Sequence, residues 1–177
     1  MTYDPVAYWT ERGRTLEAEM GEAWGAETPE LMDLIGVLRP HYVLELGCGY
    51  GRNGIGIARR WPWIAYSGVD VSDSLIASAM AHLPYGKFWV ADLATWEPPL
   101  RWDLVMAVST LGHLLPADVP TVLSRMRRAA RHDVVVIDWD ETGAQTGYQF
   151  AHDYRALMPT AQRTDMGRLA LYHEHLR

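Results

Sequence analysis

Apolar and polar positions along the chain follow two rhythms. Leu31, Leu34, Ile35 and Leu38 recur at helical spacing and share one face. Thr28-Pro29-Glu30 opens that helix with a cap residue, a proline at the first helical position and an acid near the positive helix end. Pro40 closes it. Upstream, Pro5 to Trp24 reads as one or two helices. Tyr42-Val43-Leu44-Glu45-Leu46 is instead a short apolar run stopped by glycines, which predicts a strand. Asn53 to Arg60 predicts a helix, Ile64 to Val69 a second strand, and Ser72 caps a helix reaching about His82. Lys87 to Val90 predicts a third strand. Asp103 to Val108 predicts a fourth, with a continuous apolar run suited to burial on both faces. A helix follows over Ala117 to Ala130, then a fifth strand at Asp133 to Ile137. The tail predicts a helix over Tyr148 to Leu157. Two last strands lie near Gln162 and over Leu169 to His175, turning at Asp165-Met166-Gly167.

Strands alternating with helices predict an α/β fold with a parallel sheet covered on both faces, plus one antiparallel strand at the end. Residues 1–177 fit one domain, with 1–38 as a helical entry segment and 39–177 as the core. Ligands of such sheets sit outside the carboxyl ends of the strands, where the strand order reverses. The residues just after each strand therefore hold the candidate chemistry.

Composition narrows the function classes. A net charge of −6 argues against a nucleic-acid partner, which calls for a basic surplus. The one dense basic run, Arg125-Met126-Arg127-Arg128 with Arg131, reads as a solvated helix face. No apolar run approaches the roughly 20 residues needed to cross a bilayer, so no membrane partner is expected. The first residues show no basic region followed by an apolar stretch, and the single Cys48 excludes an internal disulfide. The expected compartment is the cytoplasm.

After the first strand comes Gly47-Cys48-Gly49-Tyr50-Gly51-Arg52-Asn53-Gly54. Such a turn lets the backbone approach a ligand, and the following helix start offers free amides. Gly49, Gly51 and Gly54 also satisfy a dinucleotide-binding pattern, so the turn alone leaves a nicotinamide oxidoreductase open. Acids at the strand ends favour another cofactor. Glu45 stands beside the turn, where it would sit poorly against a pyrophosphate and well against a cation. Asp70 follows the second strand, where it can accept two ribose hydroxyls. Asp92 follows the third, where it can accept from an adenine amino group. The three acids together fit a cationic adenosine cofactor.

Val43-Leu44-Glu45-Leu46-Gly47-Cys48-Gly49-Tyr50-Gly51 resembles the first motif of class I S-adenosylmethionine (SAM)-dependent methyltransferases. Val69-Asp70-Val71-Ser72, Ala91-Asp92-Leu93 and Trp102-Asp103-Leu104-Val105 resemble the next three strand motifs, in the family's order. The resemblance implies a Rossmann-like, doubly wound, mainly parallel seven-stranded sheet with a C-terminal antiparallel strand. It implies SAM as cofactor and S-adenosylhomocysteine (SAH) as product. Gly47, Cys48 and Gly49 would pass the methionine portion, and Glu45 would orient the turn and the amino group. Asp70 would bind ribose, with Val71 against the adenine. Asp92 and the Leu93 amide would meet the adenine edge. The backbone at Val108 and Ser109 would face the amino group, and Arg12 or Arg14 would pair with the carboxylate. Tyr8-Trp9-Thr10-Glu11-Arg12-Gly13 resembles an entry helix that closes over the cofactor.

For the acceptor the sequence offers His113 as a general base, with an imidazole suited to neutral pH. Asp138-Trp139-Asp140-Glu141 follows the fifth strand and could meet a cationic acceptor or a metal. His173-Glu174-His175 sets two imidazoles on one strand face, without a third ligand in view. Tyr3, Tyr8, Trp9, Trp24 and Tyr148 are candidates for an aromatic acceptor wall. The Asn-Pro-Pro-aromatic segment of base and glutamine amino methylation is missing, as are the paired cysteines of RNA cytosine enzymes. The expected activity is methyl transfer to O or N of a small molecule. A protein or RNA acceptor, or a non-catalytic SAM-binding subunit, are the alternatives.

Overall fold

The computed structural model describes residues 3–20, 28–139 and 147–176. Helix α1 (Pro5–Met20) and α2 (Thr28–Leu38) precede β1 (Tyr42–Leu46). Then come α3 (Arg52–Arg60), β2 (Ala65–Asp70), α4 (Asp73–His82), β3 (Lys87–Val90) and β4 (Trp102–Val108). A 3₁₀ turn (Leu111–His113) leads to α5 (Val119–Ala129), β5 (Ala130–Trp139), α6 (Tyr154–Leu157), β6 (Gln162–Met166) and β7 (Leu169–His175). The strands form one seven-stranded sheet in the order β3-β2-β1-β4-β5-β7-β6. Neighbours from β3 to β5 run parallel, while β7 runs antiparallel to both β5 and β6. The expected doubly wound sheet is what the chain forms.

Alternate residues of each central strand enter different cores. Leu44, Val105, Val134 and Val136 pack against Val122, Leu123 and Met126 of α5 on one face. Val43, Leu104, Met106, Val135 and Ile137 pack against Leu31, Met32 and Ile35 of α2 and Ile57 of α3 on the other. This period-2 division of apolar residues buries the sheet on both sides. The order reverses between β1 and β4, and that crevice is where a ligand belongs.

Three elements differ from the sequence expectation. The helix expected from Tyr148 shrinks to α6, because Asp153 caps it by accepting from the Ala156 amide at 2.9 Å. The residues before it are committed to the 3₁₀ turn: the Phe150 amide donates to the Gly112 carbonyl at 2.7 Å. Strand β5 begins earlier than expected, at Ala130 rather than Asp133. The hairpin turns one step later, after Met166, with Asp165 accepting from the Gly167 amide at 2.8 Å.

Helix α1 is seated on α4. Gly13 is buried, and a Cβ there would stand 2.8 Å from the Ser72 Cβ. Glu17 accepts from Ser78 and pairs with His82 Nε2 at 2.7 Å. Gly13→Ala is therefore expected to push α1 off its seat. The cost is about 1–3 kcal/mol, read as a lower urea midpoint with unchanged slope.

Candidate active site

One cavity of about 450 Å³ opens at the carboxyl ends of β1, β2, β4 and β5. The cofactor candidates Glu45, Gly47, Cys48, Gly49, Asp70 and Val71 all line it. So do Asp92, Leu93, Val108, Ser109 and Arg12, together with the base candidate His113. Helix α1 forms a wall of it through Tyr8, Trp9, Arg12 and Leu16.

The glycine turn is shaped by its backbone. Gly47 (φ 66°) and Gly49 (φ 54°) adopt left-handed conformations, which L side chains resist. Around Gly49 no atom lies within 4 Å of where a Cβ would stand, so that direction is open. At Gly47 a Cβ would stand 2.9 Å from the Thr110 Cβ, so the turn and the β4 end meet closely. Cys48 is buried, and its side chain lies where a Cβ on Gly68 would meet it. Burial pushes the Cys48 thiol well up, which makes it a packing group.

The acids differ in setting. Asp70 Oδ2 accepts from the Gly49 amide at 2.8 Å, and Oδ1 accepts from the Ser72 amide at 3.0 Å. Burial pushes the Asp70 carboxyl up against the pull of those amides. The Val71 amide pulls on the same carboxyl, and acceptor capacity still remains, since a carboxylate offers about four positions. Asp92 Oδ1 accepts from the Ala94 amide at 2.9 Å, holding the turn after β3. Glu45 is 2 % exposed and accepts from Asn53 Nδ2 at 2.6 Å and from the Tyr66 hydroxyl. Desolvation raises its carboxyl to about 7, with the two donors opposing. Asn53 Oδ1 is buried without a hydrogen-bond partner, and Asn53 lines the cavity. Tyr66 and Asn53 escaped sequence reasoning; only Asn53, eight residues beyond Glu45, lay within reach of a local pattern.

Arg12 lines the cavity, but its fork closes on Glu19 at 2.7 and 2.6 Å. Arg14 pairs with Glu11 and is not among the lining residues. Ser109 holds φ 50° with its amide donating to the Ile137 carbonyl at 2.7 Å, strained backbone at the mouth of β4.

His113 is held from several sides. Its Nδ1 lies 2.9 Å from the Tyr148 carbonyl oxygen, which can only accept, so Nδ1 carries the proton. Burial lowers the imidazole below its ordinary value of 6.5. Its own carbonyl accepts from the Tyr3 hydroxyl at 3.0 Å, and Trp9 Nε1 donates to Tyr3 at 3.1 Å. Asp138 is 1 % exposed and accepts from Gly112 at 2.8 Å, from Trp139 at 2.9 Å and from the Tyr154 hydroxyl at 3.1 Å. It is thus an internal clamp on the turn that carries His113, rather than a solvated acceptor acid. Asp140, Glu141 and Trp24 lie outside the described residues.

His173 and His175 fall at the far end of the sheet, beside the start of β5. Both ring nitrogens meet Asp133 Oδ1, at 2.8 and 2.9 Å. Among the described residues no group of three His, Cys, Asp or Glu could hold a metal ion.

Comparison with known proteins agrees with this geometry. Residues 43–133 match the family model described as a methyltransferase domain. Trans-aconitate 2-methyltransferase of Yersinia pestis (strain Pestoides F) is 29 % identical over 197 aligned positions, covering 97 % of this chain and 73 % of that protein. Magnesium protoporphyrin IX methyltransferase from Synechocystis PCC 6803, solved with bound SAM, superposes with a TM-score of 0.72 at 16 % identity, covering 98 % and 97 % of the two chains. CalS10, an amino pentose methyltransferase from Micromonospora echinaspora solved with bound SAM, superposes with a TM-score of 0.71 at 17 % identity, covering 98 % and 97 %. With a family match over half its length, centred on the strands that build the cavity, this chain belongs to the methyltransferase-domain family.

Proposed function

We propose that the chain transfers the methyl group of SAM to an oxygen or nitrogen of a small-molecule acceptor. The observation that carries this reading is the convergence of the glycine turn, three strand-end acids and His113 on one cavity. The cavity residues suit SAM in charge and space. Open room beside Gly49 lets the methionine portion run along the turn. The orphaned Asn53 Oδ1 and the Glu45 carboxylate offer acceptors to its ammonium. The remaining acceptor positions of Asp70 suit the ribose diol, and Asp92 suits the adenine amino group. Bound there, SAM supplies a methyl group activated by its sulfonium. The chain's part is to orient the acceptor, exclude water with α1, and receive a proton at His113 Nε2. A relative that methylates trans-aconitate supports a small acceptor. No helix among the described residues is long and apolar enough to cross a membrane, and one buried cysteine suits a reducing cytoplasm.

Calorimetry with SAM and SAH tests the cofactor; a folded protein that binds neither overturns the reading. Asp70→Ala removes the ribose acceptor and should weaken SAH binding by about 1–3 kcal/mol. An unchanged affinity would remove that assignment. With His113 as base, kcat rises with pH through its lowered pKa, so the acidic limb lies below 6.5. His113→Gln should abolish that limb and lower kcat about 10²–10⁴-fold. A profile that keeps its limb in the variant assigns the base elsewhere.

A further inference from the structure

The geometry points to an organic amine, protonated in water, as the acceptor that this cavity takes. The inference rests on the methyl-transfer reading above and narrows it. Its first support is a corner of aromatic rings around His113. Tyr8 stacks on Tyr148 with centroids 4.9 Å apart and planes 18° apart. Trp9 stands at 81° to Tyr8, 5.2 Å away, and its ring lies 4.5 Å from that of His113. All of these residues line the cavity. Ring faces carry negative quadrupole density and attract an ammonium, most strongly where water is excluded. Burial pushes the Tyr8 hydroxyl further up, so the corner stays uncharged.

The second support is the disposition of cations. An acceptor bearing carboxylates would be recognised by a guanidinium fork. The cationic side chains among the described lining residues are Arg12 and Arg52. The Arg12 fork is closed on Glu19. Arg52 opens α3, on the glycine-turn side of the cavity.

The third support is the proton's destination. With Nδ1 committed to the Tyr148 carbonyl, His113 keeps a lone pair on Nε2, which has no partner among the described residues. The ammonium N–H bond breaks and its proton goes to Nε2. The freed nitrogen pair forms the bond to the methyl carbon. The carbon–sulfur bond breaks with its pair left on sulfur, which becomes a neutral thioether. The product is the N-methylated ammonium, and the imidazolium returns its proton to water.

Three probes of like shape and different charge test this: benzylamine, benzyl alcohol and benzoate, each titrated calorimetrically into SAH-loaded protein at pH 7. Benzylamine should bind about tenfold more tightly than benzyl alcohol, with benzoate weakest. Trp9→Leu should cost benzylamine about tenfold and leave benzyl alcohol unchanged. Tyr148→Leu, at an exposed position, should do the same without burdening the fold. Equal affinities, a preference for benzoate, or no binding of any probe overturns the amine assignment. Failure of SAH itself to bind overturns the methyl-transfer reading instead, so the two failures are separable.

Discussion

Gly47→Ala is expected to destabilise the fold at the site, whereas Gly49→Ala is expected to leave the fold intact and weaken cofactor binding. Both glycines hold left-handed backbone, which costs an alanine about 1–2 kcal/mol. Their surroundings differ. A methyl at Gly47 drives into the Thr110 side chain, between the turn and the end of β4. Overpacking there adds about 1–3 kcal/mol, for a total near 2–5 kcal/mol in urea unfolding. A methyl at Gly49 meets no protein atom within 4 Å, so only the backbone cost remains. It fills instead the direction along which the methionine portion of SAM is proposed to pass. SAH affinity should fall at least about tenfold by calorimetry, the cost of about 1.4 kcal/mol of overlap. A Gly49→Ala protein that binds SAH normally would move the cofactor off this turn.

Glu45→Gln should stabilise the free protein at pH 8 and have little effect at pH 4.5. The carboxyl is raised from an ordinary 4.5 to about 7 by burial. A raised folded-state value means that the native state holds its proton where the unfolded chain has lost it. The associated stability is fully present below pH 4.5 and is lost as pH rises through about 7. The shift corresponds to about 3 kcal/mol, which a permanently neutral glutamine retains at high pH. Glutamine also gives the orphaned Asn53 Oδ1 a donor once that amide turns over. Cofactor affinity should move the other way. Wild-type SAH binding should strengthen as pH rises across 7 and Glu45 ionises opposite the ligand's ammonium. In Glu45→Gln it should be weak and flat across that range. Thermal unfolding and calorimetry at both pH values read the two effects.

The sheet was legible because its signals are local. Val43 and Leu44 alternate between two cores, and a glycine turn or an acid follows the strand ends. Asp70 and Asp92 were found for the same reason: a strand end puts the next residue at the cavity whatever surrounds it. What stayed hidden depends on residues distant in the chain. The Tyr66 hydroxyl meets Glu45 across 21 positions and two parallel strands, and no spacing rule joins them. The sequence offers Asp138 to a cationic acceptor or a metal; its clamping role is invisible there because its donors, Gly112 and Tyr154, are brought to it only by the fold. The family resemblance gives Arg12 or Arg14 to the cofactor carboxylate. Glu19, two helical turns along α1, takes the Arg12 fork, and Arg14 pairs with Glu11. The stretch from Tyr148 to His152 carries helical spacing but is drawn off by the turn that holds His113.

Helix α1 forms a wall of the cavity, yet its firmest grips, Gly13 against Ser72 and Glu17 on Ser78 and His82, lie on α4. None of those five residues lines the cavity itself. The wall's position is therefore fixed from the side of the helix turned away from the cavity, so a change at Glu17 or His82 reaches the cavity through the helix's seat rather than through any residue a ligand would touch.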